Sequence, residues 1–201
     1  MAQAPTRKDE THERIVRVAA RAIRAHGYGG IGVADIMKEA GLTHGGFYAH
    51  FASKAALLAE AADRAGAEGV ESLGRVAASV APDAALATLV DAYLSDVHLH
   101  HPELGCPVAA LGSETHRQEP EVRSAATRRI KDMIGLIERQ MPGWGEAGNR
   151  DKAMAILACL VGTLVIARGV DDLSLSKAMR RAARQLLESA AAPTAAPSPT
   201  H

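Results

Sequence analysis

The amino-acid sequence predicts an all-α protein of about nine helices, on three observations. Apolar residues recur at i, i+3, i+4 and i+7 in segment after segment, the spacing that lines one face of a helix. Glycine and proline clusters separate those segments, as at Gly27-Tyr28-Gly29-Gly30, Ala81-Pro82-Asp83 and Pro142-Gly143-Trp144-Gly145. Residues 33–54 read as two short helices joined by a glycine-containing turn, the outline of a helix-turn-helix. With 201 residues, 47% hydrophobic and 23% charged, the chain can bury a sizeable core in one domain or two small ones.

The first helix spans residues 11–26, with Ile15, Val18, Ala19, Ala22 and Ile23 on one face. Arg14, Arg17, Arg21 and Arg24 lie opposite and read as its solvated face. In the next helix Val33, Ile36, Met37 and Ala40 share a face, and Gly41 tolerates the positive φ that ends it. Thr43 then reads as the N-cap of a helix over 43–50. A long helix over 53–80 carries Leu57, Leu58, Ala61, Ala65, Leu73, Val76, Ala77 and Val80. Gly66, Gly69 and Gly74 interrupt it, either as points of compliance or as notches for close packing. Leu86 to Val97 form the next amphipathic helix, which ends in His98-Leu99-His100-His101-Pro102. Cys106 caps a short helix over 107–113, since proline favours the first helical position. A helix over 120–141 turns Val122, Ala126, Ile130, Met133 and Ile137 inward. The last two helices cover 149–168 and 174–191, and residues 192–201 are low-complexity and read as disordered.

Charge separates the two ends of the chain. Basic and acidic residues balance at 23 each, yet residues 1–59 hold eight Lys or Arg against five Asp or Glu. The basic end is the one with the helix-turn-helix, as a nucleic-acid reader requires. Within that unit Gly45 and Gly46 cost a helix roughly 1 kcal/mol each, which a purely structural segment has little reason to accept. Close approach of backbone to DNA is one such reason. Thr43, His44, Tyr48 and His50 supply donors for phosphates or base edges, while Phe47 and Phe51 pack inward. Ser53 and Lys54 cap and charge the start of the long helix.

The run Ile36, Ala40-Gly41-Leu42-Thr43, Gly45, Phe47-Tyr48, His50-Phe51, Ser53-Lys54, Leu57-Leu58 resembles the DNA-binding signature of the TetR family of bacterial transcriptional regulators. It covers about a quarter of the chain with no gaps. The resemblance implies a homodimer in which residues 1–52 bind double-stranded operator DNA and residues 53–191 bind a small effector and dimerise. DNA contacts then fall on Thr43, His44, Gly45, Gly46, Tyr48, His50 and Lys54, with Arg7 and Lys8 near the phosphates. One departure is Gly32, where the family usually has a hydroxyl residue that caps helix two and touches phosphate. Glycine is itself an acceptable N-cap.

The family pocket lies among helices four to eight. Aromatic content of 3% predicts an aliphatic, sulfur-bearing lining from Tyr93, Cys106, Leu111, Met133, Trp144 and Met154, suited to an apolar ligand. The helix over 149–168 is apolar nearly all round. Its Leu157, Val161 and Leu164, with Met179 and Leu186 on the last helix, are the expected dimer face, a four-helix bundle with a second copy. The apolar run 153–167 falls short of the ~20 residues needed to span a bilayer and reads as a buried helix. MAQAPTRKDE lacks the apolar core of a secretory signal, which predicts a cytoplasmic protein whose Cys106 and Cys159 are thiols.

No phosphate loop, Gly-x-Ser-x-Gly or Cys-x-x-Cys occurs, so the sequence supports neither an enzyme nor a cofactor. His98, His100, His101, Glu103 and Cys106 include metal-ligand types at irregular spacing, and no metal site is expected there. A second reading keeps the same fold but makes Cys106 a reactive thiol that senses electrophiles or oxidants. A helix N-terminus and nearby histidines would favour its thiolate, whereas Cys159 sits mid-helix in an apolar run.

Overall fold

The computed structural model describes residues 4–191, and the tail read as disordered lies outside the described residues. Among the described residues there are nine α-helices, two 3-10 segments and no strand. The first helix, α1 (Arg7–His26), starts earlier than its apolar spacing because Thr6 closes a capping box. The Asp9 amide donates to Thr6 Oγ1 at 3.3 Å and the Thr6 amide to the Asp9 carboxylate at 2.9 Å. Then come α2 (Val33–Glu39), a 3-10 segment (His44–Ala49) and α3 (Lys54–Ala78). Ser53 caps α3, accepting the Ala56 amide at 3.0 Å.

The helix expected through Val97 is instead two helices, α4 (Ala85–Tyr93) and α5 (Asp96–His100). The break has a side-chain cause. The Leu94 carbonyl accepts from Arg180 Nη1 at 3.0 Å and Arg184 Nη2 at 2.6 Å, so the chain turns where two guanidinium groups hold its backbone oxygen. A 3-10 turn (Pro102–Leu104) leads to α6 (Pro107–Thr115), α7 (Pro120–Arg139), α8 (Asn149–Gly169) and α9 (Leu173–Ala191). Asp172 caps α9, accepting the Ser174 and Leu175 amides at 2.8 and 3.1 Å.

Contacts divide the described residues into two compact units, residues 4–72 with 96–133, and residues 73–95 with 134–191. The division falls inside α3, past the boundary at 52/53 expected for the DNA-binding region. Side chains explain why α3 begins as part of the first unit. Ile15, Ala19, Ile23, Ile36, Phe47, Phe51, Leu57 and Ala61 form its core, with Leu111 and Val122. Arg24, read as part of a solvated stripe, is 3% exposed. It donates to the carbonyls of Ala20, Ala65 and Gly105 and pairs with Glu68 at 2.8 Å. Arg14 donates to the Ala40 carbonyl at 3.0 Å, whereas Arg17 and Arg21 are exposed as expected. Gly66 is a packing notch, since a Cβ there would collide with the Arg129 side chain.

In the second unit α8 is buried on one side and open on another. Ile156, Leu157, Leu160 and Leu164 are buried, while Met154, Val165 and Ile166 are 42%, 48% and 48% exposed. On α9, Leu175 and Leu186 are also exposed.

Removing Glu68 leaves a nearly inaccessible guanidinium without its carboxylate. Glu68→Ala is expected to cost about 2–3 kcal/mol by chemical denaturation, below the figure for a fully buried pair because Glu68 reaches water. Burial pushes the Glu68 carboxyl up, but hydrogen bonds and charge from Arg64 and Arg24 outweigh that and hold it below its ordinary value. The pair's contribution is therefore complete above the ordinary carboxylate range and disappears as pH falls through the lowered value. The stability gap between parent and variant should narrow below about pH 4.

Candidate nucleic-acid interface

The helix-turn-helix is built from a short helix, a forced turn and a shorter helix. After α2, Gly41 takes φ 74°, a left-handed conformation that closes the turn without a Cβ penalty. The Gly41 amide then donates to the Lys38 carbonyl and the Leu42 amide to the Met37 carbonyl at 2.8 Å. Gly32 does cap α2, and the Asp35 carboxylate accepts its amide at 3.3 Å.

The segment expected as an α-helix over 43–50 is a 3-10 helix. Gly45 and Gly46 weaken an α-helix, and a six-residue element suits the tighter form. Thr43 has the extended backbone of an N-cap but makes no side-chain cap bond. Phe47 and Phe51 are buried and stack with ring centroids 5.6 Å apart, fixing the inner face. The outer face carries Thr43, His44 and Gly45, all exposed, and Tyr48, which is 74% exposed and sits edge-on to Phe47. A Cβ at Gly45 would meet nothing, so nothing within the chain demands glycine there. Gly46 is half-buried, its space bounded by Met37.

His50 and Lys54 have intramolecular roles that the sequence did not reveal. His50 is half-buried, and desolvation, then the charges of His12 and Lys8, push its proton affinity down. Lys54 is exposed but donates one N–H to the Ile31 carbonyl at 3.1 Å, tying the start of α3 to the loop before α2. His12 also went unread, although it bonds Glu60 at 2.6 Å and stacks on Phe51 at 4.5 Å. Its lone position on the polar side of α1 gave no signal. Arg7 and Lys8 lie exposed in the first turn of α1.

The residues expected around an effector are not brought together. Cys106, Leu111 and Met133 are buried in the first unit and Tyr93 in the second, while Trp144 and Met154 are 67% and 42% exposed. None of the six lines the cavities described here. The first unit holds one of about 320 Å³ bounded by Tyr28, Ala62, α6 and α7. The second holds a groove of about 530 Å³ bounded by Leu86, Val90, Met141 and Leu187. The sequence pattern identified core side chains but not the gaps between them.

Burial separates the residues expected at a dimer face. Leu157 and Leu164 are 5% and 0% exposed, packed into their own unit, and Val161 and Met179 are half-buried. Leu186 is 60% exposed as a contact residue requires. A helix with apolar residues all round leaves the outward stripe undetermined. Met154, Ala158 and Val165 on α8 and Leu175 and Leu186 on α9 are exposed, with Val161 and Met179 half-buried beside them.

For the thiols the order of exposure is the reverse of that expected. Cys106 does cap α6, but it is 4% exposed, and its amide donates to His98 Nε2 at 2.9 Å. An accepting ring nitrogen carries no proton, so His98 supplies no positive charge from that side. Cys159 is the more accessible of the two. Among the described residues no group of three or more His, Cys, Asp or Glu is placed to hold a metal ion.

Comparison with known proteins bears on this geometry twice over. Residues 15–61 match the description "Bacterial regulatory proteins, tetR family", and residues 82–189 match "Transcriptional regulator LmrA/YxaF-like, C-terminal domain". An uncharacterized HTH-type transcriptional regulator of Mycobacterium tuberculosis is 27% identical over 183 residues, covering 87% of this chain and 93% of its own length. Among solved structures, reduced E. coli NemR has a TM-score of 0.77 at 20% identity, covering 93% of this chain and 100% of its own. A TetR-family regulator from Cytophaga hutchinsonii has 0.76 at 18%, covering 93% and 98%. These two show the shared fold. The second family match spans more than half of the chain, and with the first it shows that this protein belongs to the TetR family of DNA-binding transcriptional regulators.

Proposed function

We propose that the chain acts as a cytoplasmic homodimeric repressor that holds a palindromic operator and leaves it when a small effector binds in the helices after α3. The observation that carries the reading is the outer face of His44–Ala49, polar and exposed over a rigid Phe47–Phe51 stack. Tyr48, Thr43 and His44 supply donors there, and the bare Gly45 backbone admits close approach. Lys54 keeps two N–H groups for phosphate after its bond to Ile31. His50 and Gly46 back the segment and contribute at its edge. Arg7 and Lys8, exposed in the first turn of α1, add positive charge suited to phosphate.

Dimerisation in this reading uses the outward stripe of α8 and α9. By length and composition α8 alone, among the described residues, could cross a membrane, and a third of that window is buried. A second copy on the stripe removes Met154, Val165 and Leu186 from water in a soluble assembly.

Selection from random duplex DNA supplies the operator for the test. Tyr48→Ala should weaken operator binding by roughly tenfold, and Lys54→Ala should lower the log–log salt slope by about 1. His44→Ala should shift preference among operators instead. Parent-like affinity and salt slope in both Tyr48→Ala and Lys54→Ala would refute the interface.

Assembly has its own test. In sedimentation, Val165→Glu and Leu186→Glu should give folded monomers without operator binding, because a charge is buried only in the dimer. Leu164→Glu should lose the fold itself, since Leu164 is fully buried within its unit. Folded dimers from both stripe variants would remove this face from the interface.

A further inference from the structure

The cavity in the first unit has a chemistry of its own. Its walls include Tyr28 after α1, Ala62 on α3, Pro107 and Gly112 on α6, and Arg123 and Ile130 on α7. At about 320 Å³ it lies at the lower end of the range for small-molecule sites. Ala62, Pro107, Val108, Ala126 and Ile130 make the surface mainly apolar, and no carboxylate lines it. Two guanidinium groups do. Arg129 is already neutralised, donating to Asp63 at 3.1 Å and to Asp132 at 3.0 Å. Arg123 forms no ion pair among the described residues, and the neighbouring His116 adds another polar donor.

A planar guanidinium without a counter-ion, at the mouth of an apolar cavity, matches a carboxylate in both charge and geometry. We propose that this cavity takes a small organic carboxylate, with its apolar body against Ala62, Val108 and Ile130 and its carboxylate on Arg123. The proposal rests on the effector-release reading and gives that effector a class and a place.

The place matters because α6 grips the entrance to the helix-turn-helix. Glu114 accepts the Tyr28 amide at 3.0 Å, so the last turn of α6 holds the backbone of the residue that leads into the loop before α2. Tyr28 is 3% exposed and forms a wall of the cavity. Four residues after it, Gly32 caps α2. An occupant that shifts Tyr28 or α6 therefore acts on the chain entering α2 directly.

The test uses octanoate and octanol as probes of equal length with the full chain. Calorimetric titration should show saturable octanoate binding and at least roughly tenfold weaker octanol binding. Arg123→Gln should weaken octanoate by a similar factor and leave octanol unchanged. Gly112→Leu, which adds bulk where a Cβ meets only Val108 at 3.8 Å, should abolish both. Circular dichroism of the two variants checks that each is folded. No saturable octanoate binding, or equal binding by parent and Arg123→Gln, overturns the proposal. Operator affinity measured alongside separates the two readings. Octanoate that binds through Arg123 but leaves DNA binding unchanged sinks effector release and keeps the site. Release by another compound without octanoate binding does the reverse.

Discussion

The first unit depends on where the Arg24 guanidinium is held. A charged group 3% exposed would be prohibitively costly alone, and the chain satisfies it with three backbone carbonyls and one carboxylate. The four partners come from three places. Ala20 is on α1 itself, Ala65 and Glu68 are on α3, and Gly105 lies just before α6. A single side chain thus fixes the angle at which α1 meets α3 and brings the start of α6 to the same point. Glu68 is bonded in turn by Arg64, which also pairs with Glu13 on α1. The geometry of the DNA-reading segment rests on this frame through α2, which packs against both the segment and α1.

Within that frame the reading segment has little structure of its own. A six-residue 3-10 helix containing two glycines is weak in isolation. Its position is set by Phe47 and Phe51 below, by Gly41 before and by Ser53 after. The consequence is a rigid inner face and an outer face free of intramolecular duties. Tyr48 shows the division most clearly, with its ring edge on Phe47 and most of its surface in water.

How much of this was legible in the sequence follows from the range of each cause. The spans of α2, α6, α8 and α9, the Gly41 turn and the Cys106 cap depend on neighbours in sequence, and each is found close to where the pattern put it. The aromatic pair and the exposed donors of residues 43–48 were legible for the same reason. The capping box at Thr6 was also local, and the signal was there in Thr6 and Asp9 three residues apart. What could not be read depended on distant partners. Arg24 looked like its stripe-mates Arg17 and Arg21 until Glu68 and Gly105 arrived beside it. The break at Leu94 comes from guanidinium groups 86 and 90 residues away. Lys54 carries the right charge for phosphate, and nothing local announces that Ile31 takes one of its protons. Burial order failed for the two cysteines because apolar neighbours in sequence do not say which side of a helix is covered.

The same distinction bears on α8. Periodicity identified it as apolar on all sides, and only the fold could decide which side remained open. The open side carries Met154 and Val165 where α9 presents Leu175 and Leu186, so two helices expose apolar surface that soluble proteins rarely leave wet. Covering that surface with a second copy contributes roughly 25 cal/mol for each Å² removed from water. In the proposed dimer the contact is isologous, because the same stripe serves both partners, and a twofold axis follows. A twofold axis also duplicates the reading segment, and a palindromic operator is the DNA counterpart of that symmetry. Stability and recognition are then coupled through one surface. In that proposed dimer the apolar stripe that each chain leaves open provides the association energy, and the paired reading segments convert that association into affinity for two half-sites at once.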